Sequence, residues 1–153
     1  MVEFETKINN NVPNHYLQAA FPTDVDAEFV YAQGQFDVVK RPIAKPDYSK
    51  YDEIPMTEQP MNSFVDICNE NEGAAILNTG LKAYESDDDY NHTVYLSLLR
   101  CFELRIYVTP EEQNYSRIEN GSQSFGEHTF RYAFMPHKGD WEDAQVWKAA
   151  EDF

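Results

Sequence analysis

"FGEHTFRYAFMPHKGDW" (residues 125–141) gathers two histidines, two acids and a tryptophan around alternating aromatics. His128, Phe130, Tyr132 and Phe134 fall on one side of an extended chain, which is the period of a strand. The spacing predicts a strand over 128–135, a turn at "PHKG" (136–139) and a helix that begins at Trp141. Asp140 is placed to cap that helix, and Glu142 and Asp143 suit the positive end of its dipole. Val146, Ala149, Ala150 and Phe153 then recur at the spacing of a packing stripe. The chain ends inside or just after this helix without a capping signal, as expected of a fragment.

The same stretch invites a metal reading, because His137 and Asp140 lie three apart. Zinc needs three or four His, Cys or carboxylate ligands converging on one point. His15, His92, His128 and His137 offer no HxH or HExxH spacing. They are expected to cap strands and satisfy backbone groups, and no metal ligand is assigned in this chain.

Working outward, the rest of the chain is also strand-like. "VEFETKIN" (2–9) alternates, with Val2, Phe4, Thr6 and Ile8 on one face. "HYLQAAF" (15–21) reads as its return strand, with Leu17, Ala19 and Phe21 inward. "AEFVYAQGQFDVVKRPI" (27–43) suggests short strands broken at Gly34. "MNSFVDICNE" (61–70) and "AAILNTG" (74–80) are close enough to form an antiparallel hairpin. "HTVYLSLLRCFE" (92–103) is apolar on both faces and should be central in its sheet. Val94, Leu96, Leu98, Arg100 and Phe102 share one of those faces. Residues 44–60 form a long loop rich in Pro, Tyr and charge, and 107–123 a long polar one. Seven or more strands and one late helix predict a single all-β domain over 1–153, an antiparallel β-sandwich.

Charge and cysteine usage narrow the function. Twelve basic against 27 acidic residues leave a net charge of −15. Nucleic acid binding needs clustered Lys and Arg, so nucleic acid is not an expected partner. An anionic membrane surface is disfavoured for the same reason, and no apolar run reaches the roughly 18 residues of a membrane span. The start "MVEFETKINN" lacks the pattern of a signal peptide. Cys68 and Cys101 lack CxxC spacing and are expected as buried free thiols, consistent with a cytoplasmic location.

No catalytic residue emerges from the motifs. There is no G-x-S-x-G elbow, no GxGxxG and no P-loop. A glycosidase pair needs two carboxyl groups roughly 5 to 9 Å apart, which sequence cannot select among 27 acids. Asp37, Asp66 and Asp140 sit among apolar neighbours and are read as turn caps. Tyr48 and Tyr51, with Trp141 and Trp147, offer faces for stacking on sugar rings. Trp147 is expected to pack instead, which leaves Tyr48 and Tyr51 as the surface candidates.

Several of these segments, in order, resemble one family. "VPNHYLQAAFPT", "GQFDVVKRPI", "NSFVDICNENEGAAILNTGLKAYE", "YLSLLR" and "GEHTFRYAFMPHKGDW" look like successive pieces of the late β-domain of family-38 glycoside hydrolases, the α-mannosidases. The resemblance covers about residues 3 to 150. It implies part of a galactose-mutarotase-like β-sandwich that packs on a catalytic α/β domain and helps shape a mannoside cleft. That domain would carry the zinc ion and the catalytic aspartates of a retaining mechanism. None of those motifs occurs here, so this chain by itself is expected to be inactive and to need no cofactor.

The resemblance also makes Arg100, at the end of "YLSLLR", a candidate for reaching the cleft. On an apolar strand face its guanidinium requires a partner. That partner is either a core carboxylate such as Asp66 or a group across a domain interface. Two further readings stay open: a free-standing carbohydrate-binding module using Tyr48 and Tyr51, and a domain that binds only its parent chain. A sandwich that lacks neighbouring strands would expose edges and could self-associate.

Overall fold

The computed structural model of the protein describes residues 1–50, 52, 56–103 and 120–153. Its described strands are β1 (Val2–Asn10), β2 (Tyr16–Phe21), β3 (Phe29–Gln33), β4 (Val38–Pro42), β5 (Gln59–Pro60), β6 (Phe64–Cys68), β7 (Glu72–Asn78), β8 (Ala83–Ser86), β9 (Val94–Arg100) and β10 (Gly126–Lys138). One short helix, α1 (Val146–Asp152), follows. Tyr51 and most of the predicted polar loop, residues 107–119, lie outside the described residues.

All pairings among the described strands are antiparallel and form two sheets. Six strands run in the order β1-β10-β7-β6-β3-β4, and four in the order β2-β9-β8-β5. The core lies between them. Val30, Val65, Ile67, Ala74, Ile76 and Tyr132 come from the larger sheet, and Tyr84, Val94, Leu96 and Leu98 from the smaller. This is the sandwich with a C-terminal helix that the sequence predicted. β6 and β7 form the expected antiparallel hairpin, and β9 is central, between β2 and β8.

β6 and β7 are buried on both faces for a simple reason. Val65, Ile67, Ala74 and Ile76 face the sandwich core, while Phe64, Ala75 and Leu77 face the opposite way. On that outer side Val146, Ala149, Ala150 and Phe153 of the predicted stripe pack over them, with Trp141. Alternation in a strand sorts residues to two faces, and here each face meets an apolar layer.

Several expectations are corrected. The β2 segment does not return along β1; it crosses to the other sheet and pairs with β9. The turn before it is tied across the molecule. Gln123 donates to Asn14 Oδ1 at 2.9 Å and accepts from the Asn14 amide at 2.8 Å. Asn10 donates to the Gln123 and Ser124 carbonyls, both at 2.9 Å.

The strand predicted over 128–135 continues through "PHK" to Lys138, so residues 136–138 are strand and not turn. Pro136 is tolerated because β1 pairs only as far as Phe134, and beyond it β10 has one neighbour, β7. Regular helix starts at Val146 rather than Trp141. Asp140 caps the preceding turn, its Oδ1 accepting from the amides of Glu142 at 3.0 Å and Asp143 at 2.9 Å. Gln145 then takes a left-handed conformation (φ 51°), which breaks the helical path ahead of α1. Trp147 was expected to pack, but it lies on the exposed side of α1, and Trp141 faces Tyr31 and Phe64 instead.

Candidate functional site

Arg100 does not face the core, and the cause is a β-bulge. Leu17 pairs with Leu99 but Gln18 pairs with Ser97, so Leu98 is an extra residue on β9. One inserted residue reverses the alternation beyond it. Arg100 therefore joins Ser97 and Tyr95 on the outer face of the smaller sheet, opposite Tyr16 in register.

There it meets Glu58, which leads into β5. Arg100 Nη1 donates to Glu58 Oε2 at 2.9 Å. Glu58 Oε1 accepts from Tyr16 Oη at 2.6 Å and from Ser97 Oγ at 2.7 Å. The Tyr16 and Ser97 hydroxyls also touch, and Gln18 Nε2 donates to Tyr16 Oη at 3.2 Å. One carboxylate thus collects three donors from two strands. Burial raises the Tyr16 phenol to about 12, and its bond to Glu58 adds to the effect. The arrangement keeps that phenol protonated, as a donor, across the ordinary pH range.

This cluster lines an open groove of about 620 Å3, whose walls include His15, Met56 and Phe102. The Arg100 side chain is 55% exposed and Glu58 13%, so the arginine presents its free N–H groups to the groove. The groove sets these hydrogen-bonding groups among apolar walls, and the thiol in its lining, Cys101, is buried with its Sγ 3.8 Å from His15 Nε2. The groove can orient a polyhydroxyl ligand or pair with polar groups of another domain.

Tyr48 is elsewhere. It is half-buried and lines a smaller pocket with Arg41 and Tyr84, separated from the groove by a shared wall at Met56 and Thr57. The structure therefore does not bring Tyr48 and Arg100 into one site. Tyr51 lies outside the described residues.

Asp66 is not the partner of Arg100, nor a turn cap. It is fully buried on the helix-covered face of β6, and its Oδ2 lies 2.7 Å from His137 Nε2. Asp37 sits in the β3–β4 turn, which its carbonyl closes by accepting from the Gly34 amide at 2.7 Å, while its Oδ1 accepts from the adjacent Val38 amide at 2.7 Å. The histidines are mixed: His128 Nε2 meets the Ser124 carbonyl at 2.7 Å, but His137 pairs with a side chain rather than the backbone. The His137 ring is raised above its usual pKa. Burial, the largest influence, works against the shift, and the Asp66 hydrogen bond and charge overcome it.

Cys68 lies on the same face. Burial, with the Asp66 negative charge next, pushes its thiol well up. A Cys, His and Asp so close together would look like nucleophilic machinery, yet this thiol is held protonated and inert. Both cysteines are free and buried, as expected. Among the described residues no three His, Cys, Asp or Glu side chains are grouped to hold a metal ion, so these residues do not fit a zinc site.

Sequence reasoning missed Glu58 and Tyr16. Glu58 stands in a long loop among many acids, and only the pairing of β5 with β8 at Gln59 and Pro60 brings it beside β9. A weak signal existed for Tyr16, since it lies on the outward-facing side of "HYLQAAF".

Comparison with known proteins accords with this geometry. Residues 1–103 match the Glycosyl hydrolases family 38 C-terminal domain. The chain is 28% identical over 155 residues to a putative mannosylglycerate hydrolase of Halalkalibacterium halodurans, covering 99% of this chain and 16% of that protein. It is 28% identical over 149 residues to human alpha-mannosidase 2C1, covering 97% of this chain and 12% of that one. Its fold superposes on the crystal structure of an alpha-mannosidase from Enterococcus faecalis with a TM-score of 0.79 at 29% identity, over 97% of this chain and 16% of the other. The chain thus spans less than a fifth of the length of the relatives it matches.

Proposed function

Because this chain belongs to the family-38 glycosyl hydrolases, through their C-terminal domain, we propose that it is the non-catalytic β-sandwich of a larger enzyme that hydrolyses α-mannosidic bonds. The observation that carries the reading is the coverage. Nearly all of this chain aligns with 12–16% of each mannosidase-like relative. A catalytic α/β domain with the zinc ion and the acid and nucleophile carboxylates would form the remainder, and would be the principal partner of this chain.

Within that enzyme, the outer face of the smaller sheet turns toward the catalytic domain, and Arg100 borders the mannoside cleft. The support is physical. Glu58 holds the guanidinium in place, but its solvent-facing N–H groups stay open to a hydroxyl or carboxylate. Tyr16, Gln18 and Ser97 extend the same polar surface. The edges of the larger sheet suit a domain contact better than self-association. β4 carries Lys40, Arg41 and Pro42, and such charged, proline-bearing edges resist pairing with another strand. Two buried free thiols favour the cytoplasm as the location of the enzyme.

The test is hydrolysis of an aryl α-mannoside by the purified chain, with and without added zinc. No turnover is expected in either case. Zinc-dependent turnover by this chain alone would overturn the proposal. Calorimetric titration with mannose oligomers separates the alternative of a free-standing carbohydrate-binding module, which requires saturable heat from this chain in isolation.

A further inference from the structure

The mouth of the sandwich, between the edge strand β4 and strand β8, holds a cation, Arg41, whose hydrogen-bond partner is a tyrosine. Arg41 reaches from β4 toward the smaller sheet, and its Nη1 donates to Tyr84 Oη at 3.2 Å. The guanidinium carbon stands 6.0 Å from the centre of the Tyr84 ring, which is fully buried. Among the described residues Arg41 makes no ion pair with a carboxylate. Nearby Lys45, by contrast, lies 3.4 Å from Asp87 and 3.8 Å from Glu85.

Beside Arg41 is a pocket of about 250 Å3. Its lining includes Tyr48, Thr57, Gln59, Tyr84 and Ser86, with Ile43 and Ala44 as apolar wall. Arginine carries five N–H donors in a planar fork, and Tyr84 takes one. The fork matches a carboxylate, and charge-assisted pairs of that kind are roughly twice as strong as neutral hydrogen bonds. Thr57, Gln59 and Ser86 supply hydroxyl and amide groups suited to alcohols. The volume is below the roughly 300–1,000 Å3 of pockets for drug-sized ligands, so the occupant is small. We infer that this pocket binds a small hydroxylated carboxylate, with the carboxylate on Arg41 and the hydroxyls on Thr57, Gln59 and Ser86. The site is separate from the groove at Arg100, and its occupancy does not depend on the reading given to that groove.

Titration of the full chain with glycerate, followed by amide chemical shifts, tests the inference. Saturable shifts at Arg41, Gln59 and Ser86 are expected, and glycerol at the same concentration should leave them unmoved. Arg41→Gln should weaken glycerate binding by about tenfold or more, and Arg41→Lys, which keeps the charge but loses the fork, by a smaller factor. The mapping on the unmodified chain stands even if Arg41→Gln does not fold. Absence of saturable shifts, shifts centred elsewhere, undiminished binding by a folded Arg41→Gln variant, or inorganic phosphate binding as tightly as glycerate would each overturn it.

Discussion

His137 Nε2 lies 2.7 Å from Asp66 Oδ2, although β7 runs between their strands. Gly73 makes this contact possible. It is the register partner of His137 on one side and of Cys68 on the other, so the imidazole passes over the one β7 residue without a side chain. The pair is sealed: His137 is 7% exposed and Asp66 is not exposed at all. Asp66 Oδ1 and His137 Nδ1 are buried there without a hydrogen-bond partner, so each residue depends heavily on the other.

Truncating either partner should therefore be costly. Asp66→Ala or His137→Ala is expected to lose about 3–5 kcal/mol, the usual penalty for leaving one member of a buried pair unpaired. Chemical denaturation checks this. The double replacement by apolar residues should recover much of the loss, since it removes both polar groups together.

The same pair gives stability a pH dependence with a defined sign. The folded-state pKa of His137 is raised above its ordinary value near 6.5. Its protonation thus contributes stability that is fully present below about 6.5 and is lost as pH rises through the folded value. Melting temperature is expected to fall as pH rises above about 6.5. His137→Gln should flatten that slope, and an unchanged slope in the variant would assign it to another group.

Gly73→Ala should be destabilising by about 1–3 kcal/mol, the range for overpacking. A Cβ placed there would lie 2.6 Å from Cys68 Cβ and 2.7 Å from His137 Nε2, and neither a Cβ fixed to its strand nor a buried, hydrogen-bonded ring can yield freely. Because the ring is one of the colliding groups, Gly73→Ala and His137→Ala should be less than additive. A denaturation double-mutant cycle reads this directly.

On the opposite side of the molecule, Arg100→Ala should change stability by about 1 kcal/mol or less, because the guanidinium is 55% exposed and Glu58 keeps the Tyr16 and Ser97 hydroxyls as donors. Glu58→Gln tests the polar cluster differently. Burial is the main reason the Tyr16 phenol reaches about 12, and the bond to Glu58 is second. Spectrophotometric titration of the variant should show the Tyr16 value falling only part of the way toward that of free tyrosine.

Cys68 should resist alkylation in the folded protein at mildly alkaline pH and react fully after denaturation. Its thiol is buried and its ionisation is opposed by burial and by Asp66. Labelling with and without denaturant, followed by mass spectrometry, provides the comparison.

Alternation, turn residues and spacing sufficed for most of the architecture, because each acts within a few residues. The β6–β7 hairpin, the central β9, the inward Leu17, Ala19 and Phe21, and the apolar stripe of α1 were all legible in that way. So was the kinship with the family-38 hydrolases, which rests on the order of local segments. What tertiary structure decided is non-local. A single extra residue, Leu98, turned Arg100 from the core to the surface, and nothing in "YLSLLR" marks a bulge that exists only against β2. Glu58 became the centre of the polar groove through a two-residue pairing of β5 with β8. Asp66 and His137, 71 positions apart, found each other across Gly73, so a histidine that suggested chemistry became a buried half of a pair. Sequence determines what each segment presents on its two faces; only the packing of sheet, bulge and glycine determines what those faces meet.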